Sequence, residues 1–319
     1  MIDYTVLPKE KCVPARDGWK LPEWDTFISV YNASDRVRAT FASARARKKR
    51  WVLVPDYSFD GNTDVPSDAI QADGSDELQI IKQAFDGIEF TDDHRLCVDI
   101  TAFTRPQLIV ALEYLRNRGV VTFDVVYAEP SYYLRGEETS FAADVVSEVR
   151  QVLGFEGDHI EESSSDALIV SVGYEDHLVT RVAAHKDHAR KFRLLGFPSM
   201  QPDMYQESVL RSHRADEAIG ADRAFTYYAP AYDPFVTASV LREMVADAEQ
   251  KGASNIYMAP VSTKPQALGF ALFYLYERLH TATSIIFPFT ATYARDTSRG
   301  IARVWRYEVD LSPVTVRTN

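Results

Sequence analysis

The chain has 319 residues, 46% of them hydrophobic and 25% charged, which is the composition of a globular protein rather than a disordered or fibrous one. Its formal net charge of -11 excludes broad, sequence-independent nucleic-acid binding, which needs a surplus of Lys and Arg facing phosphates. Two cysteines, Cys12 and Cys97, have no CxxC partner, and this excludes a disulfide framework or a zinc ribbon.

Residues 1–25 carry Pro8, Pro14, Gly18 and Pro22 and read as an irregular N-terminal extension. A strand over 27–31 leads into a helix capped by Ser34 or Asp35, and a second strand covers 51–54. The basic run Arg45, Arg47, Lys48, Lys49, Arg50 between them reads as the solvated end of that helix. A long loop over 57–75 precedes a helix from Glu77 to Phe85. A strand over 96–100, a helix over 106–118 and a strand over 123–127 follow.

The second half repeats the rhythm. Strands are expected over 167–172, 192–196, 225–228, 255–258 and 284–287. The helices between them run to about 188, then over 202–218, 234–250 and 265–279. Residues 301–311 alternate and read as an antiparallel edge strand. Short apolar strands alternating with amphipathic helices indicate α/β architecture with mostly parallel sheets covered on both faces. The expected organisation is the extension 1–25, a first Rossmann-like half 26–160 and a second Rossmann-like half 161–319.

The halves match motif by motif. Residues 96–115 and 255–275 share Thr-(Arg/Lys)-Pro-Gln, as Thr104–Gln107 and Thr263–Gln266, each followed by an apolar helix ending Tyr-Leu. Such agreement, in order, points to an internal duplication.

Ligands of open α/β sheets bind outside the carboxyl ends of the strands. Polar residues just after each expected strand are therefore the binding candidates. These are Asn32, Ser34, Asp56, Thr101, Tyr133, Tyr174, Ser199, Asp233 and Ser262. The two tetrapeptides add Thr104, Arg105, Gln107, Thr263, Lys264 and Gln266. There a Thr cap, a Pro in the first turn, free N–H groups and a cation would favour a phosphate or carboxylate. Neither half has a Walker loop or GxGxxG, so a P-loop NTPase or a standard dinucleotide dehydrogenase is not expected. For an enzyme, Asp99, Glu129, Glu175, Asp203 and Glu207 are the candidate acids and bases. Asp203 and Glu207 would share one helix face and could take a divalent cation. The histidines His177, His185 and His188 form no HExxH or facial triad, so no dedicated metal site is expected.

Val261–Gln266, a strand leading into a Ser-Thr-Lys-Pro-Gln turn that opens a helix, resembles the turn of CRISPR-associated Rossmann-fold (CARF) sensor domains. Thr263 and Lys264 match that pattern, Thr104 and Arg105 match it more loosely, and Ser262 stands where the family carries glycine. The resemblance implies contacts to the phosphates of a cyclic oligoadenylate, and two fused halves would present within one chain what a sensor dimer presents.

Three readings stay open. The first is binding or sensing of a small phosphorylated, nucleotide-type ligand between the halves, in a bacterial defence or signalling system. The second is a nucleotide or nucleoside hydrolase or transferase. The third is a non-catalytic subunit with a protein partner. The N-terminus lacks the basic-then-apolar order of a signal peptide, and apolar runs are broken by Lys264, Glu277 and Arg278. A cytoplasmic location with no membrane partner is therefore expected.

Overall fold

The computed structural model describes residues 2–13, 19–59, 65–133, 146–161, 165–201, 206, 209–210, 225–295 and 297–314. The chain forms two compact units. The first comprises Val6–Phe141 and Thr292–Asn319, and the second comprises Met1–Thr5 and Ala142–Ala291.

Along the chain the first unit contributes β1 (Lys9–Cys12), β2 (Glu23–Val30), α1 (Asp35–Ser43), β3 (Arg45–Leu53), β4 (Ile70–Gln71) and α2 (Glu77–Ala84). It continues with β5 (Leu96–Asp99), α3 (Arg105–Asn117), β6 (Thr122–Glu129) and β7 (Tyr132–Tyr133). The second unit supplies β8 (Val146–Gln151), β9 (Ala167–Val172), α4 (Asp176–His185), β10 (Arg190–Gly196) and β11 (Phe225–Ala229). After these come α5 (Pro234–Gln250), β12 (Ile256–Ala259), α6 (Lys264–Phe273) with a π-helical turn over Tyr274–Arg278, and β13 (Thr283–Thr290). The chain then returns to the first unit as β14 (Ser298–Arg299) and β15 (Arg303–Asp310).

The fold is α/β, with two Rossmann-like sheets of mostly parallel strands. The first sheet has the order β1-β15-β6-β5-β2-β3-β4 and the second β11-β10-β9-β12-β13-β8. Taken from β4 and from β11, the two orders coincide: five parallel strands, then one antiparallel strand. Parallel central strands are covered on both faces, so β5 and β9 are buried at every position.

The antiparallel strands are exchanged along the chain. β8 follows β6 in sequence but pairs with β13, and β15 follows β13 but pairs with β6. The division at 160/161 read from the sequence therefore does not coincide with the units. Residues 146–160 lie in the second unit and 292–319 in the first, because strand pairing holds a segment more firmly than sequence proximity does. Residues 1–25 are not wholly irregular. β1 pairs with β15, and β2 already begins at Glu23. β15 is antiparallel, as its alternation implies, with only the four-residue β1 outside it. The basic run lies in strand β3 instead of a helix end, because its register is set by pairing with β2. The helix expected over 202–218 falls largely outside the described residues.

In the first unit, Trp24, Phe27, Cys97, Val126, Ala128 and Val304 form one buried cluster across β2, β5, β6 and β15. At its polar edge the Trp24 indole donates to Asp124 Oδ2 at 2.6 Å, and Arg306 forms an ion pair with Asp124 at 3.0 Å. Burial pushes the Cys97 thiol well above its ordinary range. In the second unit α5 and α6 approach closely at Gly269, where a Cβ would lie 2.8 Å from Thr237 Cβ and closer still to Pro234 O. The matching position in α3 is Val110. Gly269→Ala must push these helices apart and is expected to lower stability by about 1–3 kcal/mol. A thermal melt indistinguishable from wild type would show that the helices part without cost.

Candidate functional site

In each unit the chain runs outward from a central strand in one direction, then returns to build the other side. The reversal falls between β2 and β5 in the first unit and between β9 and β12 in the second. The loops leaving these strands diverge there, and the carboxyl edge at such a reversal is where open α/β sheets place a ligand crevice.

In the first unit that crevice is rich in buried polar groups. β2 leads into Tyr31–Ser34, where Ala33 has φ +65°, a left-handed conformation rare for a residue with a Cβ. Asn32 Oδ1 accepts from Ser34 N at 3.1 Å and from Ser34 Oγ at 2.8 Å. Ser34 is the N-cap of α1 but makes no side-chain bond to a helix N–H. Arg36 follows in the first turn of α1 and is only 6% exposed. Its Nη1 donates to Ala128 O at 2.7 Å, and its guanidinium lies 5.9 Å from the Tyr127 ring centroid. Nε has no hydrogen-bond partner, and no carboxylate among the described residues pairs with it. Burial works against its charge, but Tyr127, Tyr133 and Tyr57 favour it, and on balance its pKa is raised. A buried cation at the positive end of a helix is doubly unfavourable, so this residue is conspicuous.

Tyr57 sits beside it. Its hydroxyl donates to Ala102 O at 2.8 Å and is hydrogen-bonded by the Asn32 side chain. Burial pushes its pKa up and Asp56 pushes it further, while Arg36 and Arg105 oppose the shift. Arg105 opens α3 and is 9% exposed. Half-exposed aromatic rings stand next to this group: Tyr293 is 6.4 Å from Tyr57, and Phe59 is 5.6 Å from Tyr31, with Arg295 over the Phe59 face.

The other sequence candidates of the first unit have mostly internal partners. Asp99 is fully buried and accepts from Ser29 Oγ and Thr101 N, both at 2.9 Å. Thr101 Oγ1 accepts from Ala128 N. Glu129 is fully buried, accepts from Trp305 Nε1 at 2.7 Å and pairs with Arg303 at 3.3 Å. Gln107 Oε1 accepts from Thr104 N at 3.1 Å, and Gln107 Nε2 donates to Asp56 Oδ2 at 2.7 Å. Tyr133 is half-buried in β7, which pairs with β14.

The crevice of the second unit is closed by backbone. A Cβ on Gly173 would lie 3.0 Å from Ser262 Cα, and Ser262 N donates to Ser171 Oγ at 3.1 Å. Thr263 caps α6 by accepting from Gln266 N, and its hydroxyl donates to Ala231 O. Gln266 Nε2 donates to Ala229 O at 3.4 Å, and Lys264 is half-exposed at the helix start. Glu175 is the buried N-cap of α4, and Tyr174 before it is half-buried. Asp233 caps α5 by accepting from Phe235 N and Val236 N, and Ser199 Oγ donates to Gln201 O. Asp203 and Glu207 lie outside the described residues. Among the described residues no group of three or more His, Cys, Asp or Glu could hold a metal ion, and no helix is long and apolar enough to cross a membrane.

Sequence reading named Asp56 but missed Arg36, Tyr57, Phe59 and Tyr293. A signal for Arg36 was present, because a cation in the first turn of a helix runs against the dipole and asks for a reason. No protein-family model matches the chain, and no curated protein matches it either.

Burial, with a smaller contribution from Glu77, holds the Asp56 carboxyl above its ordinary value of 3.8. The folded state therefore keeps its proton to higher pH than the unfolded chain does. Stability falls as pH rises from 3.8 through the raised value and stays lowered above it. Asp56→Asn keeps the acceptor for Gln107 and removes that cost. It is expected to melt higher than wild type at neutral pH and to melt alike well below pH 3.8. A pH-independent difference would show that ionisation of Asp56 carries no cost.

Proposed function

We propose that the first unit binds a phosphorylated, nucleotide-type ligand at the crevice between β2 and β5, as a sensing module in a signalling or defence system. The observation that carries this is Arg36, a guanidinium 6% exposed and without a carboxylate partner among the described residues. Leaving a buried charge unpaired costs several kcal/mol. A phosphate would offset that cost, since its oxygens match the planar fork of a guanidinium. The N-terminus of α1, whose cap side chain is turned to Asn32, adds N–H donors and a favourable dipole. Arg105 adds positive charge beside Tyr57. The half-exposed rings of Phe59 and Tyr293 suit a base, because every base offers a face for stacking.

The looser resemblance of Thr104 and Arg105, in the first unit, to the CARF turn favours the same ligand class. Binding is preferred over hydrolysis because Asp99, Glu129 and Asp56 already accept hydrogen bonds from their own fold.

The test is a thermal-shift screen with nucleoside mono-, di- and triphosphates, cyclic dinucleotides and cyclic oligoadenylates, followed by chromatography of each hit. A ligand at a hundred times its Kd adds about 2.7 kcal/mol, a shift of several degrees. Arg36→Met is expected to melt at or above the wild-type temperature without ligand and to lose the ligand-induced shift. A shift that survives Arg36→Met would remove this site from the account. A ligand recovered as products would replace sensing with catalysis.

A further inference from the structure

The first unit has an open sheet edge that its repeat covers. In the second unit β10 pairs with β11 at five positions, from Phe192↔Phe225 to Gly196↔Ala229. The corresponding neighbour of β3 is β4, which pairs only at Val52 and Leu53. Register against the central strand makes Val52 the counterpart of Leu195, since they oppose Val30 and Val172 respectively. Lys49–Trp51 therefore stand where Phe192–Leu194 are paired, and among the described residues β3 has no outer neighbour from Trp51 back to Arg45. Val52 O faces inward and accepts from Tyr31 N, whereas Leu53 O faces outward and accepts from Ala72 N, both at 2.9 Å. Alternation then turns the N–H and C=O groups of Trp51, Lys49, Arg47 and Arg45 outward. Among the described residues no strand pairs with them.

The edge is strongly cationic within an acidic chain, since five of the six residues 45–50 are Arg or Lys. Three of them hold main-chain carbonyls. Arg45 donates to Leu21 O at 3.4 Å, and at the ends of two helices Lys49 donates to Phe41 O and Ala42 O and Arg50 to Ala84 O and Asp86 O. Arg45, Arg47 and Lys48 stay exposed along the edge, with Arg47 reaching Asp25 at 3.2 Å while its side chain is 76% exposed. A second copy of β3 would bring cation against cation, which is how charged side chains keep an edge from self-association.

We propose that the open edge of β3 receives an acidic, extended peptide segment of a partner protein as an added strand. The ladder of main-chain bonds supplies affinity and the flanking cations select acidic side chains. Nucleic acid could use the cations but cannot continue the regular ladder of alternating N–H and C=O groups as an extended peptide does.

The experiment uses the full chain and a fluorescent eight-residue peptide of alternating valine and glutamate, read by anisotropy. Controls are the valine–lysine peptide, an oligothymidylate, and the acidic peptide N-methylated at alternate residues. The acidic peptide is expected to bind, while the lysine and N-methylated peptides are not. Arg47→Ala is expected to weaken binding several-fold through lost charge, and Arg47→Pro at least tenfold further through the lost outward N–H. Equal binding by the Ala and Pro variants, undiminished binding of the N-methylated peptide, or preference for oligothymidylate would overturn the added strand. So would a concentration-dependent dimer lost in Arg47→Pro, which would make a second copy the occupant. The N-methylated peptide decides the matter on wild-type protein should Arg47→Pro fail to fold, and none of these outcomes touches the Arg36 crevice.

Discussion

A parallel strand must be re-entered at the end opposite the one it left, so every connection crosses a face and every loop that follows a strand emerges at the same edge. The first unit depends on this constraint. It gathers the loops after β2, β3 and β5 at one edge and brings Asn32, Arg36, Tyr57 and Arg105 together from well-separated stretches of chain. It also buries the strands beneath them on both faces, and a rigid floor of this kind can hold a cation that has no carboxylate partner. Ala33 in its left-handed conformation belongs to the same picture, because local strain persists only where the surroundings over-determine it.

The repeated scaffold diverges where its chemistry would lie. At the residue after the central strand, the first unit has Tyr31 and the second has Gly173. The glycine lets Ser262 come against the backbone, and the crevice closes on itself. Tyr31 instead packs against Trp51 and Phe59, which leaves polar side chains to fill the space beside it. The Thr-Pro-Gln starts of α3 and α6 survive in both units because they cap helices. That role accounts for the bond Thr263 accepts from Gln266 N and the bond Gln107 accepts from Thr104 N.

What was legible in the sequence is what local physics decides. β9 reads as a continuous apolar run because it is buried on both faces, and α5 announces itself through Asp233 and Pro234. β3 was illegible over its first half because its exposed Arg and Lys carry no strand signature, and only pairing with β2 makes it a strand. β1, with three exposed residues of four, fails for the same reason. Asp99 and Glu129 sit at strand ends, as catalytic acids often do. The sequence could not reveal that Ser29 and Trp305, from distant segments, would reach them first. Arg36 was hidden by the opposite error, since a lone arginine in a first turn looks like surface until its burial is known.

The exchange of β8 and β15 has a consequence for how the protein is made. β6 leaves the ribosome early, but its antiparallel neighbour β15 is translated only after the whole of β8 to β13. At about 5–20 residues per second that delay is on the order of ten seconds or more. During it the outer edge of β6, apolar and ready to pair, has no β15 to cover it. The sheet synthesised first is thus the sheet completed last, and the nascent chain passes through a stage in which β6 lacks its antiparallel neighbour.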